Sequence, residues 1–455
     1  MQRWLTMSAA ALGRGIGKGD IDPVALAKTY LDAIDAHPFA DRIYTVVTHE
    51  RALTEAAASA ERAKLGLRKS ALDGVPVSWK DLFDSAGIAT EAGSLLLKDR
   101  VPDADCEVLR TATALGLVCL GKTHMSELAF SGLGHNPCTA TPPCVNDHMA
   151  VSGGSSSGAA ASVAFGLAPL AIGSDTGGSV RIPAAWNDLV GLKTTSGRIS
   201  LQGVLPLCAR FDTVGPLCRS VEDAALALAA LEGSKPVDLT NATLEGRRFA
   251  ICDTSAFDDI REAPLVAFNT AVDRLRRMGA VVERVKIPEA QAALALSGVL
   301  FASEAYGTWK DQIEANPDAM FSEILLRFRS GAQVSAADYV AAWLELDRLR
   351  EAYYAETVGY DAVLMPSSPI LPPNVERLDQ DHDYYVNENL LALRNTRIGN
   401  LMGACALTLP TGVPSCGLML VCPPMQEHHL LRLGRRRKML WHDTAFRFAV
   451  ARWLA

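Results

Sequence analysis

Residues 153–195 read GGSSSGAAASVAFGLAPLAIGSDTGGSVRIPAAWNDLVGLKTT, and this block carries the fold and the chemistry together. Two Ser/Gly turns of exposed type, Gly153–Gly158 and Asp175–Ser179, flank a buried helix at 159–165 and a buried strand at 170–172. Glycines beside a serine leave backbone N–H groups uncovered and allow positive φ, so main chain alone can build a pocket for an oxyanion. A serine nucleophile in such a turn still requires a base. Gly154–Gly158 matches G-x-S-x-G in form, but an α/β-hydrolase needs a strand directly before it, and Asn146–Ser152 reads as loop. The histidines downstream, His382, His428, His429 and His442, stand in polar or terminal contexts and give a Ser-His-Asp triad little support. A lysine in an apolar setting is the other source of a base. Lys80 closes the apolar run Val75-Pro-Val-Ser-Trp79, where burial disfavours the ammonium form and lowers its pKa. From periodicity alone, a surface lysine paired with Asp81 or Asp84 fits as well.

Outward from this block, short apolar strands alternate with helices, which is the pattern of an α/β fold. Asp22-Pro23 opens a helix with apolar positions at Val24, Ala27, Tyr30, Leu31 and Ile34, and Arg51–Leu65 is a second. Strands are expected at 75–79, 117–120, 170–172, 248–252 and 362–365, and helices at 1–12, 106–115, 264–278 and 336–357. Gly116–Thr123 satisfies G-x-x-x-x-G-K-[ST] letter for letter. Its four interior residues are apolar and a helix precedes it, so strand plus tight turn is the better reading than a phosphate-binding loop. No repeat or linker divides the chain. The expectation is one domain over 1–455, with a core at about 70–220 and a less regular helical lobe at about 230–350.

Composition bounds the rest. The 455 residues are 49% hydrophobic and 21% charged, ordinary for a globular protein and wrong for a disordered or disulfide-stapled one. Forty-four basic residues against 51 acidic ones give a net charge of -7, which argues against nucleic acid as a ligand. The ten cysteines contain no C-x-x-C pair and mostly have apolar neighbours, as buried reduced thiols do. With no convincing cleavage site near the N-terminus, the cytoplasm is the expected compartment. The longest charge-free run, 149–174, is broken by glycines and Pro169, so no membrane association is expected.

Three segments together, Asp73–Asp81 (DGVPVSWKD), Gly121–Ser131 (GKTHMSELAFS) and Gly153–Thr195, resemble the amidase signature family, and the resemblance runs from about residue 5 to 434. It implies a large mixed β-sheet covered by helices on both faces. It also implies an amidohydrolase that cleaves a small carboxylic amide to acid and ammonia without metal or organic cofactor. By the resemblance Ser179 is the nucleophile, Ser155 relays its proton, and Lys80 is the neutral base. The N–H groups of Thr176, Gly177 and Gly178, with that of Ser179, would form the oxyanion hole. Ser131 and Arg181 are expected to contact substrate, Arg181 if the substrate is anionic; otherwise Arg181 pairs with Asp175 and fixes the turn. Asp212 is expected to orient a loop, while Met125, Phe130 and Trp186 are either an acyl pocket or plain core.

The apolar character of that pocket points to an aryl- or indole-acetamide. Two alternatives accompany this reading: the subunit that transamidates misacylated tRNA, and a catalytically silent scaffold. Relatives are often dimers, which makes a homodimer the expected assembly, although no interface is legible. The sequence departs from the family after Gly434, where Arg435-Arg-Arg-Lys438 leads into a stretch with Trp441, Phe446, Phe448 and Trp453. A membrane-surface helix and a change of reading frame both account for this tail.

Overall fold

A computed structural model describes residues 2–435. The basic tail considered above lies, beyond Arg435, outside the described residues. Eleven strands among the described residues form one mixed sheet. In chain order they are β1 Tyr44–Val47, β2 Pro76–Lys80, β3 Val118–Thr123, β4 Leu170–Ser174, β5 Val190–Lys193, β6 Val214–Cys218, β7 Arg248–Cys252, β8 Val281–Val285, β9 Ala362–Pro366, β10 Cys405–Pro410 and β11 Gly417–Cys422. Their spatial order is β1-β3-β2-β4-β6-β5-β10-β11-β9-β7-β8. β3, β2 and β4 run parallel, as do β9, β7 and β8 at the far end, while the central neighbours pair antiparallel.

Both faces of this sheet are buried, because successive side chains point to opposite sides and both sides meet apolar partners. Leu170, Ile172, Val190 and Leu192 belong to the large core. Ala171 and Leu217, on the other face, pack with Ala159, Ala160 and Val163 of helix Ser157–Ala164 and with Ala184 of helix Arg181–Trp186. No helix of the described residues is long and apolar enough to cross a membrane.

Local chemistry explains several helix starts. Asp22 caps helix Pro23–Asp35 by accepting from the Ala25 N–H at 2.8 Å, with Pro23 at the first helical position. The expected N-terminal helix divides into a 3-10 turn, Gln2–Thr6, and a helix, Ala9–Gly17, because Ser8 interposes a cap that accepts from the Ala11 N–H. The Gly116–Thr123 segment is strand β3 after a turn at Gly116. Its Lys122 is buried against Asp81 at 3.0 Å and Thr90 at 2.7 Å, so its ammonium is committed to partners inside the protein. Within 230–350 the chain forms β7, β8 and long helices such as Glu262–Arg277, Ser297–Ala315 and Ala336–Thr357.

Candidate active site

The parallel pairing of β2 with β4 creates the site. Ser78 sits opposite Ala171 and Trp79 opposite Ile172, so the strands end together, Lys80 on one and Ser174 on the other. Carboxyl ends of adjacent parallel strands are where α/β folds place their ligand crevices. Lys80 is fully buried, and its Nζ lies 2.6 Å from Ser155 Oγ and 2.7 Å from Ser174 Oγ. Ser155 follows a cis peptide bond from Gly154, just before helix Ser157–Ala164. Gly173 lets this turn close on β4: a Cβ there would lie 2.5 Å from Ser156 Oγ.

Ser179 stands two residues before helix Arg181–Trp186, and its carbonyl accepts from the Ser156 N–H at 3.2 Å, tying the two serine turns together. Both turns are interior, with Ser155 at 0% and Ser179 at 3% exposure, whereas the sequence suggests exposed turns. Helix His382–Leu401 covers the Asp175–Ser179 turn, while Ser126, Gly134, Pro183 and Trp186 close on Gly153 and Gly154. Thr396 Oγ1 donates to the Gly177 carbonyl at 2.7 Å, and at Gly178, with φ +140°, a Cβ would strike Thr396 Oγ1 at 2.1 Å.

Burial lowers the Lys80 pKa from 10.5 to about 7, against the opposing pull of the Asp212 and Asp175 carboxylates. Asp175 itself is held well below the usual carboxylate range, because Arg181 offsets its burial. Asp212 does what a loop-orienting carboxylate does: it accepts from the N–H groups of Leu207 and Cys208 and from the Thr176 hydroxyl.

Two expectations from the sequence need correcting. Arg181 does not face a substrate. It is 0% exposed, donates through Nε and Nη2 to both Asp175 oxygens at 2.9 and 2.8 Å, and reaches the Thr396 carbonyl and Asn400. Every guanidinium edge is spent inside the protein. Gly178 is not a free oxyanion donor either, since its N–H goes to Asp175 Oδ1 at 2.9 Å. The turn donors without a partner among the described residues are the N–H groups of Thr176, Gly177 and Ser179.

A small cavity of about 20 Å³ reaches Ser179 and is lined by Ser131, Thr176, Gly177, Phe130 and Arg397, among others. Ser131 is therefore beside the Ser179 turn, with its hydroxyl bonded to Asn389 and Tyr385. A larger cavity of about 350 Å³ shares Phe130, Phe301, Arg327 and Arg397 with it and reaches solvent past Leu326, His382 and Leu390. Of the three candidate pocket residues, Phe130 lines both cavities, whereas Met125 and Trp186 are core. Sequence reasoning missed Ser174, Arg327 and Arg397. Ser174 lies inside the decisive block, at the end of a strand aligned with Lys80, but the two arginines carry no local signal.

The family model described as Amidase matches residues 25–431. The chain belongs to the amidase family. This amidase is 36% identical over 395 residues to 2-amino-5-chloromuconic acid deaminase of Comamonas testosteroni, covering 84% of the chain and 85% of that protein. It is 32% identical to a glutamyl-tRNA(Gln) amidotransferase subunit of Anaeromyxobacter sp. (strain K), across 93% and 94% of the two chains. Its fold matches native peptide amidase of Stenotrophomonas maltophilia with a TM-score of 0.77 at 26% identity, over 96% of this chain and 99% of that one. The chain is accordingly an amidase-family hydrolase of C–N bonds on a large mixed sheet.

Proposed function

We propose that this amidase hydrolyses a small carboxylic amide to acid and ammonia through Ser179, Ser155 and Lys80. The observation that carries this reading is a fully buried Lys80 whose Nζ sits 2.6 Å from Ser155 Oγ, with a pKa near neutrality. Ser179 Oγ attacks the amide carbonyl, and its proton passes through Ser155 to neutral Lys80. The tetrahedral oxyanion is held by the N–H groups of Thr176, Gly177 and Ser179; losing one such donor typically costs about 10²–10³ in rate. As the C–N bond breaks, the proton returns through Ser155 to the nitrogen, which departs as ammonia. Water then cleaves the Ser179 ester, giving the acid and restoring the hydroxyl.

Ammonia release from an amide panel by wild type and Ser179→Ala tests this assignment. The expected result is a loss of at least about 10³-fold in the variant, with a fluorophosphonate probe labelling Ser179 in wild type only. Equal rates would remove Ser179 from the mechanism. Phe130 and Phe301 in the cavity wall keep an aryl- or indole-acetamide on that panel. The relative from Comamonas testosteroni is named a deaminase, and release of a C–N nitrogen is the step this reading shares with it.

The likeness to the glutamyl-tRNA(Gln) amidotransferase chain supports a second reading, transamidation with partner proteins. It requires co-purifying partners and ATP, whereas hydrolysis by the isolated chain, or by its homodimer, does not. Probe labelling also separates either enzyme from a silent scaffold.

A further inference from the structure

Beside Ser179 the fold places two guanidinium groups that no carboxylate of the described residues neutralises. Arg397, on helix His382–Leu401, is 9% exposed and forms no hydrogen bond or ion pair to any described residue. Its side chain packs over the nucleophile turn: Cγ and Nε lie 3.5 and 3.9 Å from where a Cβ on Gly177 would stand. Arg327, on helix Ser322–Arg329, sits 4.4 Å from the Phe130 ring centroid, and its buried Nη1 has no hydrogen-bond partner. Both line the small cavity at Ser179 and the larger one leading to it.

The acids on the neighbouring elements make their bonds elsewhere, although the buried Oε2 of Glu388 has no hydrogen-bond partner. Glu323 binds His382 at 2.7 Å, and Glu388 binds Arg261. Glu127 accepts from Ser94 and the Phe321 N–H, and Asp212 holds the 207–208 loop. Like charges enclosed together without a counterion are expensive, and interiors keep them where an anion arrives to neutralise them. Burial lowers the Arg397 pKa to about 9, and the adjoining Arg327 charge adds to the fall. Both groups remain cationic at neutral pH, the form that binds an anion.

We infer that Arg327 and Arg397 grip a carboxylate on the substrate, so that this amidase acts on amides of dicarboxylic acids rather than on neutral amides. The inference rests on the hydrolytic reading above: with ammonia as the leaving group, the carboxylate belongs to the acyl part. Arginine is suited to the task because its planar fork matches a carboxylate, and the phenyl faces of Phe130 and Phe301 leave the chain between the two ends in apolar contact.

The experiment compares monoamides of dicarboxylic acids (succinamate, glutaramate, adipamate) with neutral amides of equal chain length (butyramide, valeramide, hexanamide). Wild type, Arg397→Gln, Arg327→Gln and Arg397→Lys are assayed for ammonia release, and a neutral fluorophosphonate monitors Ser179 in each. Wild type is expected to favour at least one monoamide over its neutral counterpart. Each Gln variant should lose on the order of 10–100-fold in kcat/KM on that monoamide, and about as much of the preference. Its rate on neutral amides should fall much less than its rate on the monoamide, its probe labelling should persist, and Arg397→Lys should recover part of the loss. Wild-type turnover that is equal on the two series, or Gln variants that lose both series alike while still labelling, would overturn the carboxylate role and leave the hydrolytic reading standing. Absence of both labelling and turnover in wild type would instead sink the hydrolytic reading, and the inference with it.

Discussion

In the proposed mechanism Lys80 acts only once its surroundings remove its charge. The desolvation that brings its pKa to about 7 outweighs two carboxylates, Asp212 and Asp175, both of which favour the ammonium. The acidic limb of the pH–kcat/KM profile is therefore expected to rise through pH about 7 and flatten above it, since only neutral Lys80 accepts a proton. Lys80→Met should abolish that limb along with on the order of 10²–10⁴ of the rate. Stability moves in the same direction. Between pH about 7 and 10.5 the unfolded chain protonates this lysine while the folded chain does not, so ΔG of unfolding rises with pH through that window. Denaturation at several pH values should show the Lys80→Met variant with a shallower slope there. An unchanged slope would mean the lysine is charged when folded.

At the scale of elements, the site is a meeting of two turns and one long helix. The Asp175–Arg181 pair is the strut between them, because Arg181 extends from Asp175 to Thr396 and Asn400 on helix His382–Leu401. Arg181→Gln leaves the Asp175 carboxylate buried without its cation, which typically costs about 3–5 kcal/mol. Urea denaturation is expected to show a loss of that size. Turnover of anionic and neutral amides should fall together, in contrast to Arg397→Gln. A loss below about 1 kcal/mol would make Arg181 a candidate substrate contact again. The same helix explains why Arg397 is not legible in the sequence. There it is one of two arginines, with Arg394, and only docking onto the Gly177 turn sets it apart.

Across the whole molecule, burial on both faces of the sheet governs reactivity. Among the ten cysteines, all unpaired, only Cys138 is even partly accessible. Burial also raises their thiol pKa values, for Cys119 and Cys252 to about 11. A thiol-specific chromogenic reagent at pH 8 should therefore titrate at most one group in the native protein and all ten in guanidinium chloride. Several fast-reacting native thiols would contradict the packing described here. The strands Val214–Cys218 and Cys405–Pro410 escape a reading of the sequence for a related reason. β6 carries Gly215 and Pro216, and both strands are held in place by neighbours far along the chain.

What the residues alone determined was whatever depends on local chemistry. Helix caps such as Asp22-Pro23, the apolar run ending at Lys80, and the paired glycine and serine turns with their spacing of 24 residues belong there. The tertiary structure decided everything that turns on distance in space. Strand register put Ser174 beside Lys80, packing by distant elements buried both turns, with helix 382–401 over the one at Asp175–Ser179, and competition for partners turned Arg181 inward and left Arg327 and Arg397 facing the cavity. The physical reason is that charge and hydrogen-bonding capacity are intrinsic to a side chain, whereas whether they are satisfied depends on neighbours that only folding supplies.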